Sequence, residues 1–511
     1  MSVRSTAAAL CAALLVPLSA HAADPDDLSA VRRQIDQLKA AYEGRIQALE
    51  TRLRELQQRV DAGPTAAATA APATSATSTI SAIPATPARP ATPTTPATAA
   101  IAAEPAPPAV AATPAAAPLP ATVGGAQASA SAFNPAISLI LNGTYANLSH
   151  DPAKYRLQGF MPSGGEVGPG LRSFSLGESE LGVAANIDPT FSGHLTASIT
   201  ADDRIAVEEA VFERQGVFEG ASLKAGRFLS SIGYLNSQHA HAWDFVDAPL
   251  AYQAFFGGQM QTDGIHLHWL APTERFVEIG AELGAGRGFP GNDSSRNGIG
   301  SAALFAHVGD DIGEGASWRG GVSYVRNRAR ARTYDDVNAA GLPVTNAFDG
   351  RSGTWIVDGI YKWAPGGNAT RTNLKLQGEY FRRTENGTLS YDVLAAAGGA
   401  SGGYRATQSG WYLQAVYQFM PMWRAGLRYD RLDSGTPAIG LVSAGTLSAA
   451  DFPILQAARP SRTTLMVDYS LSEFSRFRLQ LAADRSNPVS TDRQLFLQYI
   501  MSLGAHGAHT F

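Results

Sequence analysis

The sequence predicts an all-β chain: a transmembrane antiparallel β-barrel of about 16 strands, preceded by an N-terminal coiled-coil helix and a disordered linker. Three observations lead there. Short segments with period-two alternation fill residues 133–511, nearly every second connection between them is tight, and tryptophans gather at the segment ends. After the N-terminus no apolar run approaches the ~18 residues that mark a spanning helix, so this chain can enter a membrane only with strands.

Residues 1–22 begin with a basic Arg4, continue apolar from Ala7 to Leu18 and end in Ala20-His21-Ala22, the pattern of a secretory signal peptide. The run is about a dozen residues, too short for a span of ~20. The single cysteine, Cys11, lies inside it, so the exported chain is expected to carry no thiol, disulfide or thiolate metal site.

In residues 24–62 apolar side chains recur at Leu28, Val31, Ile35, Leu38, Tyr42, Ile46, Leu49, Leu53, Leu56 and Val60. Steps of three and four alternate, with an extra four-step at Tyr42 to Ile46, which predicts a self-associating coiled coil with a stutter. Residues 63–126 are almost wholly Ala, Pro, Thr and Ser, with Arg89 and Glu104 the only charges. Such a stretch cannot bury enough apolar surface to offset chain entropy, so an extended linker is expected, with a reach of over ~100 Å at ~3.1 Å per residue.

From Phe133 onward the strands read by their faces. Trp411, Leu413, Ala415, Tyr417 and Phe419 share one face of a segment whose other face carries Gln414 and Gln418. Leu374, Leu376, Gly378 and Tyr380 oppose Lys375, Gln377 and Glu379, and Phe477, Leu479 and Leu481 oppose Arg478 and Gln480. Sixteen such segments run from 135–148 to 492–503. Tight turns such as Asp188-Pro189-Thr190 and Met420-Pro421-Met422 alternate with long connections at 149–172, 231–261, 329–352, 384–407 and 433–459. Trp269, Trp318, Trp363 and Trp423 fall at the tight-turn ends, and Trp355 and Trp411 at the opposite ends. Uneven turns and two aromatic girdles belong to an outer-membrane barrel; a soluble propeller or sandwich explains neither.

Composition excludes several functions. A net charge of −4 argues against a nucleic-acid partner. There is no Gly-x-Ser-x-Gly, His-Glu-x-x-His or phosphate-binding glycine loop, and no enzyme activity is expected. On the polar face of the last strands Arg424, Arg428, Arg462, Arg476 and Arg478 gather with Asp430, Asp468 and Asp484. These arginines are expected to line the lumen, either as a basic ladder or as a mixed, self-paired lining.

The region from Phe133 to the end resembles Gram-negative porins of the phosphate-selective porin superfamily. Lys224-Ala225-Gly226-Arg227-Phe228, entering a long loop after the fifth strand, and the terminal Phe511 carry that resemblance. It implies a sixteen-stranded, homotrimeric barrel in which the loop after the fifth strand, here 231–261, folds inward to narrow the pore. The chain departs from the pattern in two places: 231–261 contains no Lys or Arg, and His509, Gly507 and Ala505 stand where alternating apolar residues belong. Phosphate selectivity is therefore not carried over.

Within that loop His239, His241, Trp243, Asp244 and Asp247 are the candidates for the constriction. His239 and His241 point the same way in an extended segment, and His266 and His268 share a strand face that leaves the loop. Imidazole and carboxylate donors suit zinc or copper, so the four histidines form a candidate divalent-metal set beside the plain reading of neutral lining residues or loop anchors; no cofactor is otherwise expected.

The expectation is a porin-like channel in the outer membrane for passive diffusion of small hydrophilic solutes or ions, with its lipid as a partner. The N-terminal region would sit in the periplasm, its coiled coil holding the trimer or touching peptidoglycan. Two other readings stand beside it. One is an energy-coupled receptor for a metal or metal complex, which requires a folded plug that 63–126 cannot supply. The other is an envelope tether anchored by the barrel.

Overall fold

A computed structural model describes residues 135–163, 167–200, 204–291, 297–395 and 399–504. The chain divides into two units, Met1–Pro105 and Ala106–Phe511, and every described residue belongs to the second. The signal peptide, coiled coil and linker expected at 1–22, 24–62 and 63–126 lie outside the described residues, as do His506, His509 and Phe511.

The described chain is a closed antiparallel barrel of 16 wall strands. They are β1 (Ala136–Leu148), β2 (Ser173–Leu176 and Ser179–Asn186), β3 (Phe191–Ile199), β4 (Ile205–Gln215), β5 (Ala221–Leu229) and β6 (Gln261–Leu270). There follow β7 (Phe276–Gly284), β8 (Ser301–Ile312), β9 (Ala316–Val337), β10 (Pro343–Trp363) and β11 (Asn373–Ser390). The last are β12 (Ser401–Met420), β13 (Trp423–Asp433), β14 (Ser461–Ser472), β15 (Ser475–Asp484) and β16 (Asp492–Gly504). Each pairs with its neighbours in sequence, and β1 closes the ring on β16 from Ser138 opposite Gly504 to Leu148 opposite Gln494. Closure leaves no unpaired edge, the condition for backbone polar groups in lipid. The break in β2 is tied to β1, because Gly177 N donates to Asn142 O and Asn142 N to Ser179 Oγ.

The faces fall as the alternation requires. On β12 Leu413 is 58% exposed and Gln414 3%; on β15 Phe477 is 49% exposed and Arg478 2%. Apolar side chains thus stand outside and polar ones inside, the reverse of a soluble core and the arrangement lipid selects. Trp355 and Trp363 lie at the two ends of that band on β10. Eight residues at ~3.3 Å separate them, or ~20 Å along the barrel axis after a tilt near 40°. Aromatic pairs stiffen both rims: Tyr324 with Trp355 at 4.7 Å, Trp423 with Tyr469 at 4.6 Å and Phe477 with Tyr499 at 4.5 Å between centroids.

Two connections expected to be loops are mostly strand. The hairpin of β9 and β10 continues, past a register shift between Ala329 and Arg332, to Val337 opposite Pro343, and that of β11 and β12 continues in register to Ser390 opposite Ser401. Beyond the apolar band the outward residues turn polar, as at Arg328, Arg330, Arg382 and Arg405, so the sign of a lipid-facing strand ends while the hydrogen-bonded ladder goes on.

Candidate functional site: the inserted loop and the walls that hold it

The connection between β5 and β6 folds into the barrel, as its bonding to inward-facing wall residues shows. Its neck closes where Ser230 N donates to Met260 O and the buried Asn236 carboxamide reaches Ser230 O at 2.7 Å and Met260 O at 2.9 Å. It then crosses the lumen. Gly233 N donates to Ser323 Oγ on β9, and Tyr234 N and Leu235 N donate to Glu379 on β11 at 3.2 and 3.1 Å. His239, six residues after Gly233, contacts Glu208 on β4. Strands 4 and 11 of a ring of 16 stand nearly opposite each other.

A short helix, α1 (Leu250–Phe256), follows, and all its residues are buried. It ends at Gly257, whose φ of 72° is the left-handed conformation glycine tolerates and whose N–H caps Gln253 O. Tyr252, Phe255 and Phe256 pack on Phe381 of β11, with centroids 5.1, 5.8 and 6.2 Å away. Phe160, from the connection 149–172, joins them. At roughly 1.5–3 kcal/mol per buried large apolar side chain, this cluster fixes the loop inside the lumen. The Tyr252 hydroxyl donates to Glu379 Oε2 at 2.9 Å, so Glu379 ties the loop's start and the helix to one strand.

The five arginines proposed as lumen lining all reach the loop. Arg424 contacts Asp244 at 3.3 Å; Arg428 donates to the carbonyl and carboxylate of Asp247 at 2.8 and 2.7 Å; Arg462 donates to Asp247 Oδ2 at 2.7 Å and to Ala248 O. Arg476 donates to His241 O at 2.7 Å and Arg478 to Trp243 O at 2.9 Å. Lys375 also pairs with Asp244, and Asp468 ties Arg424 to Arg478. They form a rail that grips residues 241–248. Burial works against the charged forms of Asp244 and Asp247, but Lys375 and Arg424 at the one, and Arg462 and Arg428 at the other, hold both carboxyls below the usual range. Trp243 is buried, its indole N–H donating to Gln238 O.

The opposite chemistry meets His239 and His241. His239 Nδ1 lies 2.8 Å from Glu208 Oε2 and 3.6 Å from Glu180 Oε2, and its Nε2 lies 3.1 Å from Glu209. His241 Nδ1 lies 2.6 Å from Glu180 Oε1, and His194 of β3 lies 3.3 Å from Glu209. Burial disfavours a charged His239, yet its bonds to Glu208 and Glu209 prevail and hold its pKa well above the usual histidine range. Sequence reasoning missed these acids. Glu208 and Glu209 are neighbours and should face opposite sides, but Thr196 pairs with Glu209 and Ala197 with Val207, leaving Glu208 as the extra residue of a β-bulge.

His266 and His268 keep different company. His268 Nε2 lies 2.9 Å from Glu278 Oε1 and His307 Nδ1 lies 2.7 Å from Glu278 Oε2, with His266 packed between Phe228 and Phe305. Among the described residues, the group whose ligand atoms lie within 4.8 Å of one another is Glu180, Glu208 and His239.

No model of a known protein family matches the chain. It is 29% identical over 407 residues to an uncharacterized protein of Aquifex aeolicus (strain VF5), across 74% of this chain and 80% of that one. Among solved structures it is similar to an OmpT loop-deletion mutant, an outer membrane protein of Vibrio cholerae, at 11% identity and TM-score 0.45, covering 72% of this chain and 99% of that one. It is also similar to the anion-selective porin of Comamonas acidovorans at 12% identity and TM-score 0.43, with coverage of 72% and 99%. The outer membrane channel DcaP of Acinetobacter baumannii shares 12% identity at TM-score 0.42, with coverage of 72% and 97%.

Proposed function

We infer that this chain is a porin-like channel of the outer membrane, passing small hydrophilic solutes or ions by diffusion, with the β5–β6 connection as its filter and three barrels per assembly. The observation that carries this reading is the loop itself: a polar-lined, lipid-compatible barrel spends a buried helix, two carboxylates and five arginines to hold one segment across its lumen. A barrel serving only as an anchor has no use for so specific a crossing.

In planar bilayers the purified protein is expected to open in steps, grouped in threes if the assembly is a trimer. A preparation whose barrel is folded but which never conducts would remove the channel reading. An envelope anchor would then be favoured, since α1 and Phe160 already fill part of the lumen with apolar side chains.

A further inference from the structure

We propose that Glu180, Glu208 and His239 form a binding site for a divalent first-row transition metal ion, which fastens the inserted loop to β2 and β4. The inference depends on the loop's position and not on conduction.

Geometry comes first. Oxygen and nitrogen ligands at 2.0–2.2 Å around a tetrahedral ion stand about 3.4 Å apart. His239 Nδ1 stands 2.8 Å from one glutamate oxygen and 3.6 Å from the other. The Nδ1–H is within hydrogen-bond reach of Glu208 and not of Glu180, whereas a cation bound to all three would join both carboxylates to the ring.

The surroundings follow the pattern that supports metal ligands. The far nitrogen of His239 meets Glu209, which also meets His194, so a carboxylate fixes the ring. The second oxygen of Glu180 is held by His241 Nδ1. Glu208 Oε1 is buried at the same place, so the carboxylate can offer a cation both of its oxygens. The Glu178 and Ser198 side chains also hydrogen-bond the Glu208 carboxyl and help to position it. Mixed imidazole and carboxylate donors favour zinc, iron or manganese over magnesium or calcium, which take oxygen ligands alone. On binding, His239 gives up its Nδ1 proton to solvent and the lone pair so freed goes to the metal.

The test is calorimetric titration of chelator-stripped, full-length protein in detergent with zinc chloride, run in two buffers of different ionisation heat. Heat-dependent gel mobility checks that each variant is a folded barrel. Expected is one saturable site per chain releasing about one proton, weakened at least ~100-fold by Glu208→Gln or His239→Ala and unaltered by excess magnesium. A His266→Ala/His268→Ala double variant should bind as the unaltered protein does. Absence of saturable binding, binding insensitive to Glu208→Gln, or binding lost with His266 and His268 would each overturn the proposal. A protein that binds zinc here but does not conduct would keep the site and lose the channel.

Discussion

The loop is held by two walls of opposite sign, and they are built to different standards. On β11 and β13–β15 the grip is redundant: Asp247 alone engages two arginines, and Arg476 and Arg478 hold backbone carbonyls that no side-chain change removes. On β2–β4 the grip is made of histidines and glutamates, with His239 and His241 both reaching side-chain carboxylates. The difference teaches that one wall fixes the loop while the other leaves an exchangeable place, where a proton or a metal ion can serve.

The largest expected effect breaks the fixed wall. Asp247→Ala removes the closer of the two carboxylates that Arg428 and Arg462, each 1% exposed, share, and leaves them Asp430. A loss of about 3–5 kcal/mol is expected, read as lower thermal stability and faster proteolysis within 231–261. Next, Phe255→Ala removes a ring stacked on Phe381 and should cost about 3 kcal/mol; stability unchanged by it would mean that the helix is not packed as described. His239→Ala is expected to cost less, about 1–3 kcal/mol, because the His239 side chain is 22% exposed and water can replace some of what is lost. If its effect exceeded that of Asp247→Ala, the ranking of the walls would be reversed.

The smallest effect is on acidification. Asp244 and Asp247 have folded pKa values below their unfolded ones, so their contribution is complete above the unfolded carboxylate pKa and is lost only as pH falls through the folded values. The rail should therefore hold unchanged from pH 7 to about pH 4.5, given an unfolded Asp pKa near 3.9. Proteolysis of the loop that rose already at pH 6 would contradict this.

The barrel was legible because lipid imposes one rule on every strand: Leu413 and Phe477 must face out where Gln414 and Arg478 face in. Where lipid ends the rule ends, which is why the ladders beyond Arg328 and Thr384 read as loops. The site was half legible. His239 and His241 stand out by type and spacing, and Arg424, Arg428, Arg476 and Arg478 by sharing a strand face. Their partners do not stand out, because Glu180 is 59 residues from His239 in sequence, and Glu208 faces inward only through a bulge that the alternation hides. Nor does the sequence show that the arginines would grip the loop, since Asp247 and Arg462 lie 215 residues apart along the chain.

The central claim is that a loop docked on the arginine rail filters a conducting barrel, and single-channel recording of the unaltered protein beside an Asp244→Asn/Asp247→Asn variant tests it most directly. Stable stepwise openings are expected for the first, and larger, noisier ones for the second. Identical conductance in both, with each barrel folded, would show that the loop does not govern the pore.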